Sequence, residues 1–244
     1  MVSLSTVIWY SLAGGVFSLA GGLAIVANKQ FAKRLSIYAS PFAAGVMLSA
    51  AFLDLLAEAV NLDGGELALL GALVGMVTFF LMEKFLFWFH HHHAHRDEDP
   101  RALLVVVGDL LHNFLDGIAI GIAFTVDFQA GILTTLAVAA HEIPQEIGDF
   151  GLMLKYGYSR LKTLLINVIS SLFTVAGAVA VFSRQGGIEE FKPLLLGAVA
   201  GFFIYVAASD IIPDIHKKER KKLAGPQTVM FVLGIALISY LASL

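Results

Sequence analysis

Nine polar side chains in two short stretches carry the chemistry open to this sequence. Asp109, His112, Asn113 and Asp116 stand at successive offsets of 3, 4 and 7 from the first, which places them on one stripe of a helix. His141, Glu142, Gln145, Glu146 and Asp149 fall on one broad face of a second helix. Imidazole nitrogen combined with carboxylate oxygen suits zinc, iron(II), manganese and similar divalent ions, with Asn and Gln oxygens as weaker neutral ligands. Calcium or magnesium would be met by oxygen alone. The chain contains no cysteine, so thiolate ligands and disulfides are both excluded.

These groups lie in strongly apolar surroundings. Of the 244 residues 58% are hydrophobic and only 14% charged, against roughly 25% charged in soluble proteins. Mean hydropathy is +0.81. Eight apolar runs are long enough to cross a hydrocarbon core of about 30 Å: Ser5–Ala27, Ile37–Ala57, Glu66–Phe87, Ala102–Phe124, Ala130–Met153, Leu161–Phe182, Pro193–Ile212 and Thr228–Leu244. The runs are continuous rather than alternating, which favours helices over barrel strands. The expected class is therefore an all-α integral membrane protein, a single bundle over residues 1–244. The first run begins uncharged at Leu4 and is expected to remain as a span.

Each ionisable group near the bilayer centre costs roughly 2.5–3.5 kcal/mol, so the carboxylates of the fifth span must face protein, water or an ion. His112 and His141 each lie about a dozen residues into their spans, roughly 16–18 Å along the axis. Both should sit near the midplane, where they can face each other. Pro144 removes a backbone donor and opens the helix beside these groups.

Positive charge sets the direction of threading. All basic residues except Arg184 and Lys192 fall in or beside the loops after the first, third, fifth and seventh spans, which marks that side as cytoplasmic. Both termini are then outside. Asp54 and Glu58 in the second span, and Asp210 and Asp214 in the seventh, repeat one acid-x-x-x-acid pattern in helices of opposite direction. This is either an inverted repeat of the kind found in secondary transporters or a chance recurrence of acids at helix ends.

The stretches His112-Asn-Phe-Leu-Asp-Gly117 and His141-Glu-Ile-Pro-Gln-Glu146 resemble the HNxxDG and HEIPxE motifs of the ZIP (Zrt/Irt-like protein) family, in its bacterial type. The resemblance covers the whole chain and implies an eight-helix inverted-repeat bundle with both termini outside. It implies a transport unit of spans 1, 4, 5 and 6 moving against a scaffold of spans 2, 3, 7 and 8, in a homodimer. It makes His112 and Asp116 ligands of a principal metal, completed at Gln145. Asn113, His141 and Glu142 then serve a second metal, with Asp116 as a bridge. Many relatives carry His or Glu where this chain has Gln145, and Glu146 is the next carboxylate at hand. In the sixth span, where some relatives place a carboxylate, there are only Asn167, Ser170, Ser171 and Thr174.

By the same resemblance Met47, Asp54 and Glu58 form an outer entrance, and Asp149, Asp210, Asp214 and His216 an exit. Acids near helix ends serve equally well as solvated anchors. His90, His91, His92, His93 and His95 lie in a cytoplasmic loop, residues 90–100, that either holds released metal or is simply polar. The expected substrate is Zn2+, with iron(II), manganese and cadmium as further divalent ions, carried inward across a cell (inner) membrane. No organic cofactor and no nucleic-acid partner is expected; the lipid bilayer is. An intramembrane zinc metalloprotease or hydrolase is the competing reading, because His141-Glu142 opens like HExxH. That motif fails at Gln145, and Pro144 distorts the helix that would present it.

Overall fold

The computed structural model describes residues 2–88, 100–187, 189–217 and 223–243. Among the described residues the regular structure is helical throughout. The main helices are α1 (Leu4–Ala27), α2 (Lys29–Ser49), α3 (Leu56–Ala59), α4 (Gly65–Trp88), α5 (Pro100–Val126), α6 (Phe128–Lys155), α7 (Arg160–Phe182), α8 (Lys192–Tyr205), α9 (Ile212–Lys217) and α10 (Ala224–Ala242). The second apolar run is longer than the sequence suggests. From α2 it continues through a π-helical segment at Ala50–Leu55, α3 and a second π segment at Val60–Gly64. The seventh run is likewise built from α8, a π segment at Val206–Ile211, and α9.

Among the described residues six stretches have the length and composition to cross a membrane: Arg34–Leu62, Gly65–Phe85, Val105–Val126, Arg160–Phe182, Lys192–Ile211 and Ala224–Ala242. α6 is long enough at 28 residues, but its polar face lowers its hydropathy. α1 is apolar along Leu4–Val16. The outer surface is correspondingly greasy. Leu69, Leu73 and Phe85 on α4, and Val229, Val232 and Leu233 on α10, are exposed. Apolar surface on this scale is stable against lipid rather than water.

Short polar joints turn the chain between consecutive helices. Asn28 alone separates α1 from α2, and its Oδ1 accepts from the N–H groups of Gln30 and Phe31 at 2.8 and 3.2 Å. Asp127 alone separates α5 from α6, and its Oδ1 accepts from Ala130 N at 2.8 Å. Ser159 caps α7 through Lys162 N at 3.2 Å. Each cap satisfies donors that the first turn of a helix leaves free.

The helices pack in two sets. α5 lies along α7, α1 lies along α6 and α7, and α5 touches α6; α4 lies along α8, and α2 along α10. Between the sets, α2 and the Ala50–Leu55 segment pack on α6, and α5 meets α8. The α5–α7 approach depends on glycine: a Cβ at Gly117 would collide with the Thr174 carbonyl oxygen, and one at Gly177 with that of Phe114. Close backbone contact through small residues is the usual means of joining helices in lipid. It brings the polar face of α7 against the ligand-bearing faces of α5 and α6.

Candidate metal centre

The one-residue joint at Asp127 decides which side chains meet. His112 and His141 lie at nearly equal distances along the chain on either side of it, so the antiparallel helices bring them level. Asp116 is one turn beyond His112 on the same face, and Glu142 follows His141 directly. One ligand atom from each of His112, Asp116, His141 and Glu142 lies within 4.8 Å of all the others, and the four residues are buried.

Four of the six separations are close to those in a coordination polyhedron. His112 Nε2 stands 3.1 Å from His141 Nε2, 3.5 Å from Glu142 Oε1 and 3.7 Å from Asp116 Oδ2, and His141 Nε2 stands 3.2 Å from Asp116 Oδ2. Four ligands about 2.0–2.1 Å from a tetrahedral zinc ion would be separated by about 3.3–3.4 Å. Among the protein groups, neither oxygen of Asp116 and neither oxygen of Glu142 accepts a hydrogen bond. Two fully buried carboxylates with free lone pairs are costly without a positive partner. A divalent ion held by these four residues supplies that partner.

Surrounding groups orient the quartet. His141 Nδ1–H donates to the Ala137 carbonyl at 2.9 Å, which turns the Nε2 lone pair toward the other ligands. Aromatic rings of α4 and α8 close one side. Phe79 and Phe202 stand edge-on to the His112 ring, at centroid distances of 5.7 and 5.5 Å, and Phe203 lies 6.1 Å from the His141 ring. Such rings exclude water and strengthen electrostatic attraction within the group.

A second polar layer connects α5 with α7. Asn113 Nδ2 donates to Asp109 Oδ1 at 2.9 Å and to Ser170 Oγ at 3.2 Å, while Asn113 Oδ1 accepts from Thr174 Oγ1 at 2.9 Å. Asn113 is thus engaged with α7, outside the quartet. Glu146 is fully buried one turn beyond Glu142 and accepts a hydrogen bond from Asn167 Nδ2.

The remaining residues anticipated from sequence are dispersed. Gln145 and Asp149 are half-buried on α6. Met47 is fully buried on α2, and Asp54 and Glu58 are half-buried on the π segment and α3. Asp54 lies close enough to Glu58 and Asp127 for their charges to interact, which sets it near the level of the α5–α6 joint. Asp210 and His216 are exposed at the other end of the molecule from Asp127, on the continuation of α8 and on α9. The side chain of Asp214, and His90, His91, His92, His93 and His95, lie outside the described residues.

Sequence reasoning placed Asp109 on the ligand-bearing stripe without making it a ligand, and saw Asn167, Ser170 and Thr174 only as neutral residues where some relatives carry a carboxylate. It gave no signal at all for Phe79, Phe202 and Phe203, which look like any other apolar span residue. It also missed a hydrogen bond of 2.6 Å from Tyr205 Oη to Glu83 Oε2, which ties α8 to α4.

A family model described as ZIP zinc transporter matches residues 90–242, more than half of the chain. The chain belongs to the ZIP zinc transporter family. Among ZIP relatives, zinc transporter ZIP4 of Mus musculus is 41% identical over 110 residues, covering 45% of this chain and 16% of that protein. The zinc transporter ZIP13 homolog of Drosophila melanogaster is 31% identical over 155 residues, 61% of this chain and 44% of its own length. Zinc transporter ZIP13 of Pongo abelii is 28% identical over 212 residues, 81% of this chain and 64% of that protein. The chain thus spans less than a fifth of the mouse protein and under two thirds of the Pongo one. ZIP proteins are transporters rather than enzymes, and the apolar helices make this member a multi-pass membrane protein.

Proposed function

We propose that the chain carries a divalent metal ion, zinc foremost, into the cytoplasm by alternating access. The observation that carries this reading is the buried quartet of His112, Asp116, His141 and Glu142, whose spacing and free lone pairs suit a zinc-sized ion. Zinc is also the ion named for the relatives. Iron(II), manganese and cadmium are compatible with the same donors.

The route begins past Met47, Asp54 and Glu58 at the outer face. The ion loses most of its water and is held by the quartet, with Asn113, Gln145 and Glu146 as neighbouring oxygen donors. It leaves past Asp149, Asp210, Asp214 and His216, and the histidines of residues 90–95 are available to receive it. In this reading the chain threads eight times with both termini outside. α1, α5, α6 and α7 form the moving unit; α2, α4, α8 and α10 form the scaffold, through which a homodimer assembles in the inner membrane.

Two features support the division. The closest helix pairs fall within these two sets, and the quartet comes entirely from the first. The pairings also exchange with one another under an inverted repeat: α4 with α8 corresponds to α10 with α2, and α5 with α7 to α6 with α1. Asp54 and Asp210 both occupy the fifth position of a six-residue π segment, which supports the same symmetry. Irregular helix at membrane depth is tolerated where it lines a polar path.

The test is uptake of radioactive zinc into proteoliposomes of defined orientation. Saturable uptake by the native chain, with background levels for His112→Ala and Glu142→Ala, is the expected result. Metal binding without uptake by any of the three would count against transport and leave a structural metal site.

A further inference from the structure

About one helical turn from the quartet, toward the α5 N-terminus and the α6 C-terminus, three buried oxygens have no hydrogen-bond partner: Asp109 Oδ2, Glu146 Oε1 and Asn167 Oδ1. They come from α5, α6 and α7. Asp109 precedes His112 by three residues and Glu146 follows Glu142 by four, so both lie about 4.5–6 Å further along the same direction. Asp109 is 3% exposed, and Glu146 and Asn167 are fully buried. The other polar atom of each is committed: Asp109 Oδ1 to Asn113 Nδ2, and Glu146 Oε2 to Asn167 Nδ2. The carboxylates of Asp109 and Glu146 are near enough to repel.

With both carboxylates ionised all three free atoms are acceptors, so in that state they cannot satisfy one another. A cation answers all three and relieves the repulsion between the two carboxylates. We infer that Asp109, Glu146 and Asn167 form a second divalent-cation site, one turn inward of the quartet and built from oxygen alone. Without imidazole it favours harder ions such as Mn2+ and binds zinc more loosely than the quartet does. On the transport reading it is the stop an ion reaches on leaving the quartet. Its binding chemistry stands apart from that reading.

Mn2+ titrated into the full chain in lipid nanodiscs, followed by pulsed electron paramagnetic resonance, distinguishes the sites. Mn2+ at the quartet shows nitrogen coupling from His112 and His141, and Mn2+ at the inner site shows none. The native chain should bind both kinds. Asp109→Asn and Asn167→Ala should each lose the nitrogen-free ion and keep the nitrogen-coupled one, which also reports an intact fold. His112→Ala should do the reverse. A native chain with only nitrogen-coupled Mn2+, or a nitrogen-free signal unchanged in both inner variants, overturns the proposal. So does loss of both signals in both inner variants, since the two sites would then not be separate. A native chain with only nitrogen-free Mn2+ would support the inner site and count instead against the quartet as the transport site.

Discussion

His112 and His141, separated by 29 residues in the chain, meet with their Nε2 atoms 3.1 Å apart at the centre of the helical bundle. Two imidazoles that close, with two buried carboxylates beside them, define a donor set for a borderline metal. Calcium and magnesium, which prefer oxygen only, should not compete with zinc for uptake even in large excess, whereas cadmium should. Because protons compete with metal for imidazole and carboxylate, zinc affinity should fall as the pH is lowered. Competition uptake and calorimetric titration at several pH values check both outcomes.

Thr174 holds Asn113, which lies between His112 and Asp116 on α5. Thr174→Val keeps the volume and removes the hydroxyl. Because Asn113 lies beside the ligands rather than among them, zinc affinity should fall by less than the roughly 10–100-fold seen when a ligand's own partner is lost. The fully buried Asn113 Oδ1 is left without a donor, so stability should drop by about 1–3 kcal/mol, read as a lower thermal midpoint beside an equilibrium zinc-binding isotherm.

Gly117 permits the contact between α5 and α7 that brings Ser170 and Thr174 to Asn113. Gly117→Ala should destabilise the protein by about 1–3 kcal/mol, the usual cost of forcing extra volume into a packed contact. Gly148→Ala, inside α6 where a Cβ would meet nothing within 4 Å, is the control and should leave stability unchanged or raise it by up to about 1 kcal/mol. Thermal unfolding in detergent measures both.

Tyr205→Phe removes the hydroxyl that donates to Glu83. The pair is only partly buried, so the expected loss is about 1 kcal/mol, below the 1.5–3 kcal/mol of a buried charged hydrogen bond. Zinc binding at the quartet should be unaffected, since Glu83 and Tyr205 contribute no ligand. A denaturation midpoint and a binding isotherm on one preparation provide the check.

The absence of cysteine makes threading directly measurable. Ser3→Cys and Ser243→Cys should react with a membrane-impermeant maleimide from outside intact cells, and Lys155→Cys only after the cells are opened. The opposite pattern would reverse the proposed direction of the chain.

The quartet was legible because its members recur at helical spacing within spans that are otherwise apolar, where each charge is conspicuous. The partners on α7 were harder to read. Asn167, Ser170 and Thr174 are neutral, cheap to bury, and meaningful only once the Gly117 contact brings α7 against α5. Phe79 and Phe202 were invisible for a different reason: α4 and α8 are apolar on every side, so periodicity does not separate a ring facing lipid from one facing His112. The π segments at Ala50–Leu55 and Val206–Ile211 left no mark in local propensity. What did show was the recurrence of acids at Asp54 and Asp210, although not its backbone form.

The joint at Asp127 makes α5 and α6 a pair of tweezers. Each arm extends about 21–23 Å from the pivot to its histidine, at 1.5 Å per residue. With a single residue at the pivot and α7 clasped along α5, the arms have little room to part independently. On the proposed transport function, an ion between the tips would be freed by wetting rather than by prying, departing as water reaches it and replaces its ligands one at a time. The speed of each cycle would then depend on how readily the wall of Phe79, Phe202 and Phe203 gives way to water, more than on the strength of any one metal–ligand bond.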